Sequence, residues 1–257
     1  MIFDFPFTKT FTITQGFAQN KNTYYAEDGL VGHTGLDIYK FHKAPVHAVC
    51  DAYCYLVTPS NDPMKYTAVY TIVEDSGLFY EVSYGHLDSI FATVGNIKRG
   101  QVVGLQGNKG DVASGGVKIT REMKEFGSSL GTHLHFQVRL IKKVTAKDKT
   151  KKYIFGGNKI NGAYYEIVDY TNGTKGCIDP EPFLCGNYPE DKVILTSTLK
   201  YGSRGEQVKL LQTKLKITSD GIFGHQTDRE VRAFQKKYNL VVDGIVGPKT
   251  RQIINNL

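Results

Sequence analysis

Short hydrophobic runs, separated by Gly, Asn, Asp and Pro residues, extend from Thr10 to about Leu140. The runs are rich in β-branched and aromatic residues, which is typical of β-strands. We therefore predict strands over residues 68–73, 78–84 and 134–140, a tight turn leading into a strand over residues 100–107, and a short helix or loop over residues 121–128. The pattern indicates a mainly antiparallel β domain.

The stretch from about residue 141 to residue 176 interrupts this pattern. Between Ile141 and Lys152 six lysines accompany a single aspartate, which predicts a solvated segment with little to bury. The following residues 156–176 are rich in Gly and Asn and predict a hairpin. We interpret the whole stretch as an insertion on the β domain.

Beyond residue 190 the hydrophobic period becomes that of a helix. Apolar residues at helical spacing predict helices over residues 204–217 and 226–238, and a third from Lys249 to the terminus. Two copies of one octet, Asp220–Thr227 and Asp243–Thr250, precede the second and third helices, 23 residues apart. The threonine of each octet is the expected helix N-cap. This region is predicted to be a small three-helix bundle.

These patterns together predict an α+β protein of two domains. The β domain spans residues 1–190 with its insert, a linker follows over residues 191–197, and the helical bundle spans residues 198–257. No run of eighteen apolar residues is present, so we expect no membrane-spanning helix and no membrane partner. The first residues alternate like a strand and include Asp4, which is not typical of a secretory signal.

The positive charge is concentrated at one end of the chain. The net charge is +7, but from Lys200 onward 11 Lys and Arg face 5 Asp and Glu, a local excess of +6. Such asymmetry indicates a basic module that binds a polyanion. Nucleic acid is not the expected partner, because neither a recognition helix nor an aromatic stacking pattern accompanies the charge.

Composition and cysteine content further limit the class of protein to which the chain can belong. Hydrophobic residues make up 40% of the chain, enough for a core, which excludes disorder as the main state. The four cysteines are compatible with two disulfides or none, and their spacing fits no zinc-finger pattern. We predict that the four cysteines are ordinary buried or free thiols.

Five residues with metal-ligand or proton-transfer chemistry fall in three short motifs. His33 and Asp37 are four residues apart, His86 follows a predicted strand, and His133 and His135 are two residues apart. On a strand, residues two or four apart project from the same face. Each motif alone is more often a pair of surface polar residues. Together they match the ligands that hydrolytic Zn²⁺ requires, with one position left open for water.

With these motifs the chain resembles the lysostaphin-type zinc endopeptidases, which cleave peptide cross-links in bacterial peptidoglycan. The resemblance covers about residues 12–185 and rests on Gly-His33-x3-Asp37-Ile, Ala44-Pro-Val-His-Ala48, Tyr84-x-His86-Leu, Gly100-Gln-Val-Val-Gly-Leu105, Gly-Thr-His133-Leu-His135-Phe and the Asp-Pro segment Ile178–Leu184.

The resemblance implies a β domain with a substrate groove and one Zn²⁺. His33, Asp37 and His135 would be the zinc ligands, and His133 the general base that takes a proton from water. His86 would hydrogen-bond the developing oxyanion or share the proton transfer, and Tyr84 would line the substrate groove.

Two departures from the family concern the groove. The stretch 108–129 is long for the turn before the last two histidines, and the insert at about residues 141–176 separates them from the Asp-Pro segment. Both are expected to reshape the rim of the groove.

The last domain resembles the three-helix peptidoglycan-binding domains of wall hydrolases. The match rests on Gly205-x2-Val208-x2-Leu211-Gln212-x2-Leu215, the two octets and Phe234-Gln235. The two resemblances imply a monomeric peptidoglycan hydrolase of the phage endolysin kind. It would be made in the host cytoplasm without a signal peptide and act on the cell wall after release.

Two alternatives stay open. One is a non-catalytic wall-binding or activator protein of the same fold, against which all three implied ligands and both further histidines argue. The other is a virion-associated hydrolase that penetrates the wall, which differs in location and not in chemistry.

Overall fold

The computed structural model describes residues 1–20, 24–26, 28–115, 117–189 and 194–255. The chain divides into two compact units, Met1–Glu190 and Asp191–Leu257. Residues 191–193 of the predicted linker and the last two residues of the predicted third helix lie outside the described residues. Within the described ranges, no helix is both long and apolar enough to cross a membrane.

Strands dominate the first unit. They are β1 (Thr12–Gln15), β2 (Leu36–Tyr39), β3 (Pro45–His47), β4 (Ala52–Val57), β5 (Ala68–Asp75), β6 (Leu78–Gly85), β7 (Leu87–Ile90), β8 (Gly95–Ile97), β9 (Val102–Gln106), β10 (Ala113–Ser114), β11 (Val117–Lys118), β12 (Leu134–Val144), β13 (Tyr164–Ile167) and β14 (Cys177–Ile178). The short helix α1 spans Arg121–Glu125, and 3₁₀ turns occupy Tyr24–Ala26, Ile154–Gly157 and Glu181–Phe183. The strands predicted over residues 68–73, 78–84 and 134–140 are confirmed as β5, β6 and β12.

The main sheet has the strand order β1-β2-β12-β6-β5-β4-β8, and its neighbours are antiparallel. Strands β13 and β14 pair with further stretches of β12. A smaller sheet has the order β3-β9-β7. In this register His135 of β12 lies opposite Asp37 on one side and opposite Gly85 on the other.

The core of the first unit explains which face of β12 is free for chemistry. Leu134, Phe136 and Val138 are fully buried in the main hydrophobic cluster, together with residues of the smaller sheet such as Val46 and Val103. Because side chains alternate along a strand, the odd-numbered residues of β12 point to the opposite face. That face carries His135.

The start of the insert differs from its prediction as a solvated segment, because strand β12 continues to Val144 and pairs with β13. The predicted hairpin turn is present, since Ile160 and Ala163 form an antiparallel bridge, and Tyr153 forms another with Glu166. The apolar side chains of the insert pack on the free face of the main sheet; this cluster contains Ile72, Ile141, Ile154, Ile160, Tyr165 and Ile167. Burial of these residues, which are hidden among lysines in the sequence, stabilises the extended strand.

The second unit contains three helices in its described residues: α2 (Glu206–Lys214), α3 (His225–Lys237) and α4 (Pro248–Asn255). They surround a core whose fully buried members are Leu195, Val208, Leu211, Phe223, Val231 and Val246. Together with the β-rich first unit, this bundle confirms the predicted α+β class with two domains.

Two buried glutamines organise the repeated octets. Gln212 donates from Nε2 to Asp220, to the carbonyl of Ile222 and to the hydroxyl of Thr227, and its Oε1 accepts from the Gly221 amide. Gln235 makes the same four bonds 23 residues later. The predicted threonine N-caps are wrong for this reason. Thr227 is the third residue of α3, where the glutamine holds its hydroxyl, and Gly224 is the N-cap.

Candidate metal centre

The residues of the three histidine motifs come together at the free face of the main sheet. Asp37 lies in β2 and His135 in β12, while His133 lies directly before β12 and His86 between β6 and β7. His33 precedes β2, so the expectation that His33 and Asp37 share a strand is wrong. A loop, and not strand alternation, positions His33.

Three side chains present their ligand atoms to one point. Asp37 Oδ1 lies 3.0 Å from both His33 Nε2 and His135 Nδ1, and these two nitrogens are 2.9 Å apart. His133 Nε2 is 3.5 Å from the same carboxylate oxygen. The structure therefore brings the three predicted ligands together and places the predicted base beside them.

The outer hydrogen bonds of the imidazoles test whether a cation fits this point. His33 Nδ1 donates to the carbonyl of Gly16, which can only accept, so Nε2 of the neutral ring carries a lone pair. His135 Nε2 bonds to the hydroxyl of Thr34, which leaves Nδ1 for the cluster. Two imidazole nitrogens and a carboxylate oxygen thus face one another at about 3 Å, an arrangement that a cation stabilises. Two histidines and one aspartate are a donor set that hydrolytic zinc accepts.

The charge state of Asp37 suits the same role. Burial on its own raises the pKa of this carboxyl, but the adjoining imidazoles of His135 and His33 and the nearby His133 outweigh burial. The pKa is held far below its usual range, so the side chain is an anion.

His86 and His133 form a second pair beside the ligands, with ring centroids 4.5 Å apart. His86 has a positive φ of 58°, and this left-handed turn between β6 and β7 aims its ring toward the cluster. Its Nδ1 donates to the carbonyl of Lys109, and His133 Nδ1 donates to the carbonyl of Gly131. Burial, and then the neighbouring His133 and His135, lower the pKa of His86 well below its usual value. The neutral ring of His86 therefore presents an unprotonated Nε2.

A groove of about 1100 Å³ opens over the cluster. Its floor includes His135, Gln137 and Arg139 of β12, and part of its rim comes from residues 111–115 and 129–132. These rim residues belong to the long stretch before the last two histidines. The departure from the family pattern at residues 108–129 thus does border the groove.

Tyr84 does not line this groove, and its prediction as a substrate-binding residue is wrong. Its side chain is 1% exposed and packs in the main core against Phe136. The hydroxyl accepts a hydrogen bond from the Val49 amide. Tyr84 is an even-numbered residue of β6 and shares the core face with Val82, while the groove lies on the opposite face.

Sequence reasoning missed two groove residues, Tyr66 and Arg139. The ring of Tyr66 lies 4.8 Å from that of His86, and its hydroxyl occupies the space where a β-carbon on Gly85 would be. Tyr66 precedes β5 in a segment without periodicity, so no sequence signal marks it. Arg139 could have been found, because it is four residues beyond His135 on the same strand face.

Comparison with protein families gives two matches. Residues 31–149 match the model described as "Peptidase family M23", and residues 204–254 match "Putative peptidoglycan binding domain". The comparison with curated proteins finds no match.

Solved structures similar to the chain include three peptidases or related proteins. A zinc-containing peptidase from Vibrio cholerae is 28% identical over 55% of this chain, with a TM-score of 0.38. LytU is 23% identical over 69% of the chain and 86% of its own length, with a TM-score of 0.39. The catalytic domain of lysostaphin from Staphylococcus simulans is 18% identical over 69% of the chain and 92% of its own length, with a TM-score of 0.37.

The match to the Vibrio cholerae peptidase spans only 37% of that protein. The family matches coincide with the two units of the structure: the first contains the clustered ligands, and the second contains both glutamine-held octets. Residues 31–149 of this chain are therefore similar to peptidase family M23, and residues 204–254 are similar to a peptidoglycan-binding domain.

Proposed function

We propose that this protein is a zinc-dependent endopeptidase that hydrolyses peptide bonds in the stem peptides or cross-bridges of bacterial peptidoglycan. One observation supports it above the others. Ligand atoms of His33, Asp37 and His135 converge within 4.8 Å of one another, beside His133 and beneath an open groove. A binding protein needs no such cluster.

His33 Nε2, Asp37 Oδ1 and His135 Nδ1 would hold the metal. Bound Zn²⁺ supplies Lewis-acid chemistry, since it polarises a carbonyl and lowers the pKa of water. His133 acts as the general base: its Nδ1 is engaged by Gly131, so Nε2 accepts the proton of the attacking water and returns it to the leaving amine.

His86 shares this proton transfer. Its Nδ1 proton is directed to Lys109, so the neutral ring offers an acceptor at Nε2 and becomes a donor there only after taking a proton. Of the two roles left open for His86, the tautomer supports proton transfer. The hydroxyl of Tyr66, beside His86, is the group that donates a hydrogen bond to the developing oxyanion.

The second unit anchors the enzyme to its insoluble substrate. Its family match to a peptidoglycan-binding domain and its excess positive charge support this role, since bacterial walls carry anionic polymers. Anchoring raises the local concentration of the peptidase at the wall without a new contact in the groove.

The decisive experiment combines two measurements on the purified full chain. Bound zinc is quantified first, and purified peptidoglycan is then digested, with mass spectrometry of the new amino and carboxyl termini. We expect about one zinc per chain and chelator-sensitive cleavage of a peptide bond. A non-catalytic wall-binding protein would bind the same peptidoglycan and release no new termini, which would refute the proposal.

The setting in a phage stays a prediction from the sequence. A phage endolysin made in the host cytoplasm leaves the producing cells intact until their membrane is permeabilised, and then lyses them. A virion-associated hydrolase would instead be found by mass spectrometry in purified phage particles. Expression in a host cell with and without permeabilisation separates these two.

A further inference from the structure

Arg139 is the last residue of β12 that lines the groove. Along the free face of β12 the order is His135, Gln137, Arg139 and Ile141, and the first three line the groove. Ile141 is 3% exposed, because the insert packs over it in the cluster that includes Ile154 and Ile167. The floor of the groove therefore ends at the guanidinium of Arg139.

Arg139 is held from below by buried partners. Its Nη1 donates to Glu81, at 2.8 Å, and its Nε donates to the sulfur of Cys177. Glu81 is 3% exposed and also accepts from the hydroxyl of Tyr55. These contacts restrict the guanidinium to one orientation before any substrate binds.

One edge of the guanidinium is left for a ligand. The Arg139 side chain is 20% exposed, and its Nη2 has no hydrogen-bond partner among the residues that the structure describes. Among the described lining residues Arg139 is also the only lysine or arginine, whereas Asp28, Asp37 and Asp111 are acidic. The Nη2 group of a cationic guanidinium that faces the groove can donate a charge-assisted hydrogen bond to a carboxylate.

We propose that the part of the groove at Arg139 is a carboxylate-binding subsite in which Arg139 determines specificity. The inference rests on the proposed peptidase function and adds the chemistry of the substrate: a free carboxylate near the scissile bond. Arg139 lies four residues from His135, about 13 Å along the strand. An extended peptide spans that distance in about four residues, so the carboxylate lies within about four residues of the bond that is cleaved.

The test uses three synthetic cross-linked stem-peptide dimers of one sequence. The first has all carboxylates free, the second is amidated at its C-terminus, and the third is amidated at its internal glutamyl carboxylate. Turnover and calorimetric binding are measured with the full chain. Amidation of the recognised group is expected to lower kcat/KM about 10- to 100-fold, mainly through KM, while the other amidation has no effect. The affected dimer identifies the source of the carboxylate.

Variants then assign the effect to Arg139. Arg139→Lys retains the charge that pairs with Glu81 but loses the Nη2 donor, and we expect it to lose the preference for carboxylate over amide. The control Arg121→Gln, an exposed residue of α1, keeps the preference. Should Arg139→Lys fail to fold, the double variant Arg139→Gln with Glu81→Gln replaces the buried ion pair by a neutral pair.

The outcomes separate this inference from the proposed function. Equal cleavage of all three dimers by the wild-type chain overturns the subsite and leaves the peptidase standing. Cleavage of none of them, with Arg139-dependent binding of the free carboxylate, supports the subsite and contradicts the peptidase. Equal binding and no cleavage contradict both.

Discussion

His133 and His135 are two residues apart and project from the same face, yet their rings have opposite orientations. His135 directs Nδ1 to Asp37 and Nε2 to Thr34, whereas His133 directs Nδ1 to the Gly131 carbonyl and Nε2 toward the cluster. Neighbouring imidazoles thus suit two roles, because different outer partners orient the two rings differently.

This difference predicts separate effects for two substitutions. His135→Ala removes a ligand, so zinc and activity are expected to be lost together. His133→Ala leaves the ligands in place, so zinc content stays unchanged while kcat falls about 10²- to 10⁴-fold. Zinc analysis and turnover on a soluble peptide are measured on the same samples.

The matched control is His225→Ala, an exposed histidine of the second unit that contacts Tyr201. This variant is expected to change neither zinc content nor turnover. Full turnover by His133→Ala would contradict its assignment as the base.

Tyr66→Phe tests the donor beside His86. Removing the hydroxyl leaves the ring against His86 but takes away a hydrogen bond made to the developing oxyanion. We expect kcat to fall about 10- to 100-fold with little change in KM or zinc content. Tyr188→Phe, which stacks on Phe5 away from the groove, is the control. A rise in KM as large as the fall in kcat would instead indicate that the Tyr66 hydroxyl binds substrate.

At the residue scale, the site residues that could be predicted from the sequence are those with metal-ligand or proton-transfer chemistry. His33, Asp37, His86, His133 and His135 belong to motifs whose spacing is visible, and all five converge. Tyr66 reaches the site only because Gly85 lacks a side chain and the chain turns there. That contact depends on three-dimensional packing, which no local pattern records.

At the scale of elements, strand β12 links several parts of the first unit. It pairs with β2, β6, β13 and β14, and it carries His135, the groove residues Gln137 and Arg139, and the start of the insert. Its central part was predictable from alternation. Its extension through Ile141–Val144 was not, because a lysine-rich stretch is typical of a loop until β13 supplies a partner.

The glutamines of the second unit give a prediction at this scale. Gln212→Ala leaves the Gly221 amide and the Ile222 carbonyl without their partner, and Gln235→Ala does the same one repeat later. Each is expected to reduce the free energy of unfolding of the second unit by about 3 kcal/mol. Gln226→Ala, at an exposed position of α3, should have no such effect.

The measurement is thermal unfolding of the full chain followed by circular dichroism and calorimetry. Equal losses for the two buried glutamines are expected because their bonds are equivalent. A loss in only one of the two variants would show that the repeats are not energetically equivalent.

At the scale of the whole molecule, the two units have separate cores and different charge. The clusters of the first unit contain no residue of the second, and the second unit has its own core around Val208 and Val231. The uneven charge noted in the sequence follows this division, since the excess of +6 from Lys200 onward falls in the second unit.

Removing residues 198–257 tests what that charge does. The full chain is expected to bind purified walls and to lose affinity as salt rises, because screening shortens the reach of exposed charges to about 8 Å at physiological ionic strength. The truncated chain should bind walls weakly at every salt concentration and cleave a short soluble peptide at the wild-type rate. Unchanged wall affinity at low and high salt would contradict the anchoring role.

The register of β12 also sets the footprint that this strand offers to a bound peptide. His135, Gln137 and Arg139 line the groove, whereas the next residue on the same face, Ile141, is covered by the insert. A peptide that follows β12 would therefore meet three side chains of this strand, spaced two residues apart.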